Sequence, residues 1–238
     1  MDGRPLYPSS GGPVDAQSGG DRVKNGPAPA DEIRVAPIEE EAPMPVPSVK
    51  GSLYQTVVND LLDALQAGRT DRAALEAALK PEDLERLDGE IAVASWYAVD
   101  SYARLLRALC QVEAGGRAGW YEQSGRQAAE RLVALGIYAQ LDDHTAGAWE
   151  GRVGRSLLSI APALFNFGRW SWSGIADDQG FTIWVDESAD MPEEVARRSH
   201  GFVSFMVERA AGDALRVKVD YRRAGNRIEF PVRVHRPL

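Results

Sequence analysis

From Gly51 onward the apolar positions recur at helical spacing. Leu53, Val57, Leu61 and Leu65 stand four apart, and Val58 and Leu62 widen the stripe, so the pattern predicts an amphipathic helix ended by Gly68. Thr70 is placed to cap a second helix carrying Leu75 and Leu79. Pro81 is placed to open a third, PEDLERL, whose acids suit a helix N-terminus. Ser95 precedes WYAVDSYARLLRALCQV, where Tyr102, Leu105, Leu106, Leu109 and Val112 make a fourth helical face that Gly115 and Gly116 end. Trp120 to Leu141 predicts a fifth helix with Ala128, Leu132 and Leu135 inward, and Thr145 to about Leu164 a sixth, which Pro162 interrupts.

After Phe167 the period changes to two. RWSWSGI and FTIWVDE alternate, with Asp177, Asp178 and Gly180 as turn formers between them, which predicts a hairpin. A long helix follows from Pro192, with Glu193 and Glu194 in its first turn, Val195, Phe202, Val203, Met206 and Ala210 inward, and Gly212 at its end. Two strands close the chain: Leu215, Val217, Val219 and Tyr221 share one face, then Ile228, Phe230, Val232 and Val234, with Ala224-Gly225-Asn226 as their turn. Pro231 hints that the last strand lies at an edge or a bulge. The order of elements predicts an α+β fold, an N-terminal helical layer (51–165) packed on a mostly antiparallel sheet with a C-terminal ββαββ (168–238).

Composition changes this picture at the N-terminus. Residues 1–50 hold nine of the fourteen prolines and one of the nineteen aromatics, Tyr7, and cannot bury enough surface to offset their ordering entropy. They read as a disordered Pro/Gly-rich leader, and 51–238 as a single domain large enough for a substantial core. The formal charge of -8 argues against nucleic acid and anionic membrane as partners. No apolar run approaches a membrane span or a signal peptide, and the lone Cys110 excludes an intrachain disulfide, so a soluble cytoplasmic protein is expected.

Lys50-Gly51-Ser52-Leu53 at the first helix, Trp96-Tyr97 followed by Tyr102 and Leu105-Leu106, Gly125 in the fifth helix, and Gly201 within the late βαββ together resemble a myxobacterial paralogous family, a domain of unknown function. More remotely, the layout is similar to the superfamily of haem nitric-oxide-binding domains, four-vinyl-reductase (V4R) small-molecule domains and transport-protein-particle (TRAPP) subunits. The resemblance spans roughly residues 50–235. It implies a pocket between helical layer and sheet for a small apolar molecule, and pairing through helices into a homodimer. The haem relatives grip propionates with Tyr-x-Ser-x-Arg, which no tyrosine here begins, so no cofactor is expected.

Catalytic motifs are missing too: there is no Gly-x-Ser-x-Gly elbow, phosphate loop or dinucleotide fingerprint. His144 follows Asp142 and Asp143, yet consecutive side chains in a turn do not converge on a metal, and His200 and His235 have no partners at ligand spacing; neither a metal nor a catalytic residue is assigned. The aromatic load reads first as core, and alternatively as the wall of a ligand pocket. For that pocket the spacing selects Trp96 and Tyr97 at one helix start, with Trp149, Arg152 and Arg155 from another, an arginine facing aromatics being suited to an anionic headgroup.

Charge is uneven. Residues 197–238 carry a balance of +6 against -11 for 51–196. Arg222, Arg223 and Arg227 around the last turn form a cationic knob, which either pairs within the fold or docks an acidic protein partner. The expectation is a non-enzymatic regulatory or sensory module binding a small apolar or amphipathic ligand or a partner protein. The alternatives are an adaptor recruiting a partner through its acidic, proline-rich leader, and an enzyme acting on a small molecule.

Overall fold

A computed structural model describes residues 46–136, 149–173, 180–213 and 215–235, except for the side chains of Trp149, Glu150 and Arg152. The folded unit reaches back past Gly51 into the stretch read as leader. Ser48–Lys50 is a strand (β1) that pairs antiparallel with Trp96–Ala98 (β2), Val49 opposite Tyr97. Val49 is fully buried, and its apolar side chain is what draws the strand into the core. Residues 1–45 lie outside the described part, and the turn at 177–178 and His144 do as well.

The first helix, α1 (Gly51–Gln66), buries Tyr54, Val57, Val58, Leu61 and Ala64, the stripe the sequence predicts. In α2 (Arg72–Ala78) the cap is Asp71 rather than Thr70: its carboxylate accepts the Ala74 N–H at 2.8 Å. Pro81 opens α3 (Pro81–Asp88) as expected. α4 (Val99–Ala114) starts three residues after the predicted Trp96, because Trp96–Ala98 is held extended by its ladder to β1 and Val99 N–H donates to Pro47. Gly115 ends α4 in the left-handed conformation, φ 58°. α5 spans Gly119–Ala134, and α6 (Trp149–Leu164) runs through Pro162 rather than breaking there. No helix among the described residues is long and apolar enough to cross a membrane.

The sheet follows: β3 (Arg169–Trp172), β4 (Gly180–Asp186), then α7 (Glu193–Ala211), β5 (Arg216–Val219), β6 (Arg222–Ala224) and β7 (Arg227–His235). All pairings are antiparallel, in the order β3-β4-β7-β5, with β6 also on β7. This is the predicted α+β fold. Period two places Phe181, Ile183 and Val185 of β4 beside Ile228, Phe230 and Val232 of β7 on the buried face.

The expectation that Pro231 marks an edge is corrected, since β7 is central. The Pro231 carbonyl accepts the Asp220 N–H at 2.9 Å, so the proline nitrogen, which cannot donate, faces the same neighbour. The ladder on that side is interrupted there, and one predicted strand becomes β5 and β6 in a common register.

Helix α7 lies on the sheet through β5 and β7 and carries α5 on another face. The α5–α7 crossing is a backbone contact: a Cβ on Gly125 would stand 1.9 Å from the Arg198 carbonyl oxygen, and one on Gly201 1.9 Å from that of Glu122. A buried polar cluster ties the N-terminal helices together. Asp83, fully buried, accepts from Arg104 Nε at 2.5 Å and Nη2 at 2.9 Å and from the Ser101 hydroxyl, which is itself 2.6 Å from the Tyr54 hydroxyl. Burial pushes the Asp83 carboxyl up, but the hydrogen bonds from Arg104, Ser101 and the Lys80 amide outweigh it and hold the group below the usual carboxylate range.

Gly201→Ala destabilises the chain by about 1–3 kcal/mol in denaturant unfolding, because its methyl meets backbone that no rotamer change relieves. Gly119→Ala, with open space around its Cβ, is neutral or slightly stabilising. Asp83→Asn costs about 3 kcal/mol at neutral pH. A depressed carboxylate stabilises above its unfolded pKa of about 4 and loses that contribution as pH falls through its folded value. Unfolding midpoints from neutral pH to about pH 3 therefore fall more steeply for the parent than for Asp83→Asn.

Candidate functional site

The apolar stripes of α5 and α6 do not close completely on α7. Between them, with α1 and α4 contributing, lies a cavity of about 390 Å³. Its size is in the range that encloses small organic ligands. Leu157, Ile160 and Leu164 of α6 line it at three- and four-residue spacing, facing Leu132 of α5 and Phe202 of α7. Gly125, without a side chain because α5 approaches α7 closely there, and the small Ala128 leave the space on that wall. Trp170 from β3 completes the lining, its ring stacked against Phe165 at 6.3 Å and Phe230 at 6.0 Å between centroids. Its Nε1–H is buried and has no hydrogen-bond partner among the described residues.

The described charged residues of the lining are Arg131 and Arg198, and there is no carboxylate among them. Arg131 is 3.5 Å from Asp60. Arg198 differs: it is only 7% exposed, and its Nη1 is enclosed without a hydrogen-bond partner among the described residues. Its guanidinium carbon lies 5.9 Å from the centre of the Tyr102 ring, which also lines the cavity. Burial pushes the Tyr102 phenol up, an effect that the Arg198 charge opposes. Arg198 thus places a guanidinium against apolar walls, a costly arrangement for a charged group.

Of the residues the sequence selects for a pocket, none with a described side chain belongs to this lining. Trp96 is on β2, 42% exposed, with Lys50 Nζ 4.6 Å over its ring. Tyr97 stacks on Tyr54 at 4.6 Å, and its hydroxyl accepts the Ala92 N–H. Both are spent in the β1–β2 ladder, which the helical reading of Trp96–Ala98 did not foresee. Arg155 is exposed on α6; Trp149 and Arg152 are on α6 with side chains outside the described part. Arg198 was missed, although its signal was present: it stands three after Val195 and four before Phe202, a charge on the inward stripe of α7.

The cationic knob is largely engaged within the fold. Arg223 Nη2 donates to the Ser188 and Met191 carbonyls at 2.9 and 2.7 Å, and Arg227 pairs with Asp186 at 2.6 Å; Arg222 is exposed. His200 stacks on Phe230, and its Nε2–H donates to the Val219 carbonyl at 3.0 Å. Cys110 is buried, and burial pushes its thiol up, as suits an inert core residue.

No protein-family model and no curated protein matches the chain. Solved structures do. A mutant of the T. Tengcongensis H-NOX covers 79% of this chain and 99% of its own, at 11% identity and TM-score 0.52. An Fe(II) unliganded H-NOX mutant from K. algicida covers 79% and 98%, at 12% identity and TM-score 0.53. A structure concerned with heme distortion in the H-NOX family covers 79% and 94%, at 11% identity and TM-score 0.51. The likeness shows an H-NOX-like fold, in agreement with the remote resemblance. It also overturns the expectation that no cofactor is involved, since structures sharing this fold are those of heme and Fe(II) proteins.

If Arg198 is an unpaired buried cation, Arg198→Met stabilises the ligand-stripped chain. Its thermal unfolding reads a gain of about 1–4 kcal/mol, whereas a side chain serving only to hold the fold would give a loss.

Proposed function

We propose that this chain is a non-enzymatic sensory module whose cavity between α5, α6 and α7 takes one small apolar or amphipathic molecule. The observation that carries the reading is the cavity itself, about 390 Å³ lined mostly by apolar side chains, with one guanidinium nitrogen, Arg198 Nη1, that has no hydrogen-bond partner among the described residues, within an H-NOX-like fold. Every major helix of the C-terminal half contributes a wall, so occupancy is felt by α7, and α7 is packed on the sheet. A ligand stabilises whichever arrangement of these walls it binds best, which is the thermodynamic content of sensing.

Haem enters as a candidate through the fold. The described lining offers it apolar walls and a cation, but no imidazole, thiolate or thioether. The described histidines are elsewhere: His200 is bonded to Val219, and His235 ends β7. Among the described residues of the lining there is thus no axial ligand for a haem iron, and His144 lies outside them. No step is therefore derived through iron, and the binding test reads haem directly.

The full chain, purified from a haem-replete host, is expected to retain about one small molecule per chain, seen by native mass spectrometry, identified after extraction and scanned for haem absorbance. The same spectrum reads the expected homodimer. Ala128→Phe, which fills the cavity from α5, is expected to weaken that binding at least about tenfold while circular dichroism stays unchanged. A parent chain that arrives empty and binds no apolar probe overturns the reading.

A further inference from the structure

The ligand class can be narrowed, on the premise that the cavity is a binding site. Its described walls are apolar apart from a few hydroxyls and two arginines. Thr56 has its hydroxyl donating to the Ser52 carbonyl within α1, and Arg131 is near Asp60. Two polar groups of the lining are buried and unanswered, Arg198 Nη1 and Trp170 Nε1. Both are donors that cannot accept, so what they lack is an acceptor and not a further donor. No carboxylate is in the described lining to answer the Arg198 charge from within the cavity.

We infer that the cavity is built for an apolar molecule ending in a single carboxylate, with Arg198 as the residue that binds the carboxylate. A guanidinium presents two parallel N–H groups to the two oxygens of a carboxylate, and a buried pair of this kind cancels the charge that the empty site leaves exposed to an apolar wall. One uncommitted cation matches one negative charge. A phosphate monoester carries about -1.5 to -2 and would leave charge unbalanced. The neutral walls accept an aliphatic or aromatic body. A carboxylated macrocycle presents the same chemistry, and the two sources are separated below.

The test compares dodecanoic acid, dodecanol, methyl dodecanoate and dodecyl phosphate by titration calorimetry, with Trp170 in the lining offering a fluorescence readout. Dodecanoic acid is expected to bind the delipidated full chain about 30-fold or more tighter than dodecanol or the ester, and tighter than the phosphate. Arg198→Met is expected to erase the preference for the acid while still binding dodecanol, and Arg198→Lys to keep part of it. Equal affinity of the parent for acid and alcohol overturns the inference, and so does an Arg198→Met chain that binds the acid as tightly as its parent. The parent's own acid-to-alcohol ratio needs no variant, so a misfolded substitution does not blunt the experiment. Binding of dodecanol and the acid alike leaves the cavity reading standing and removes only the carboxylate; binding of none of the four, with haem and its metal-free porphyrin also excluded, removes both. If the porphyrin binds and the dodecyl series does not, a loss of about 30-fold in Arg198→Met supports the carboxylate contact with the macrocycle as its source, and no loss overturns it.

Discussion

Two glycines let α5 and α7 touch through their backbones, and much of the molecule is arranged around that contact. With Gly125 against the Arg198 carbonyl and Gly201 against that of Glu122, neither helix can slide or rotate without a collision. Side chains that would normally space two helices are absent at this point, and the surrounding ones must pack at a separation they do not choose. Arg126 pairing with Glu208, and Arg197 with Glu122, flank the crossing. Such half-exposed pairs contribute little energy, so they define register more than they stabilise.

The cavity is a consequence of that geometry. An approach this close requires glycine at position 125 of α5, and Gly125 also lines the cavity. Arg198 is placed by the same contact, since the carbonyl pressed against Gly125 is its own. A long flexible side chain therefore projects from a backbone with almost no freedom, which lowers the entropy lost when it binds a ligand. The cost is a buried guanidinium nitrogen, Arg198 Nη1, that finds no hydrogen-bond partner among the described residues.

On the far side of α7 the sheet is held by contacts that use up the charge excess of the C-terminal segment. Glu193, in the first turn of α7, receives Tyr221, Arg197 and Arg223, and Arg223 also reaches two carbonyls just ahead of the helix. The hairpin is thus fastened to the start of α7. Its arginines are spent on this in good part, which is why a local balance of +6 does not translate into an equally cationic surface. Pro231 adds a local constraint: by withholding one N–H it breaks a ladder in the middle of the sheet and gives β5 and β6 separate ends.

The sequence by itself determined the fold class, the helical stripes of α1, α4 and α7, the two-residue period of β4 and β7, the proline start of α3 and the glycine end of α4. Each of these depends on spacing or on one residue's backbone preference, and both are local properties. Only the tertiary structure decided that Trp96–Ala98 is a strand, because its pairing partner, Ser48–Lys50, stands almost fifty residues away and was read as leader. The site divides the same way. An apolar pocket was expected only through the remote resemblance, and the residues lining the cavity are not those the spacing selects: Trp96 and Tyr97 stand on β2, paired with β1, and Arg198, written in plain view on an inward stripe, acquires meaning only once the described cavity lining is known to hold no carboxylate. Charge on a helix face is a local observation; the absence of a partner is a property of the whole packed neighbourhood, and that is decided by how α5 and α7 meet.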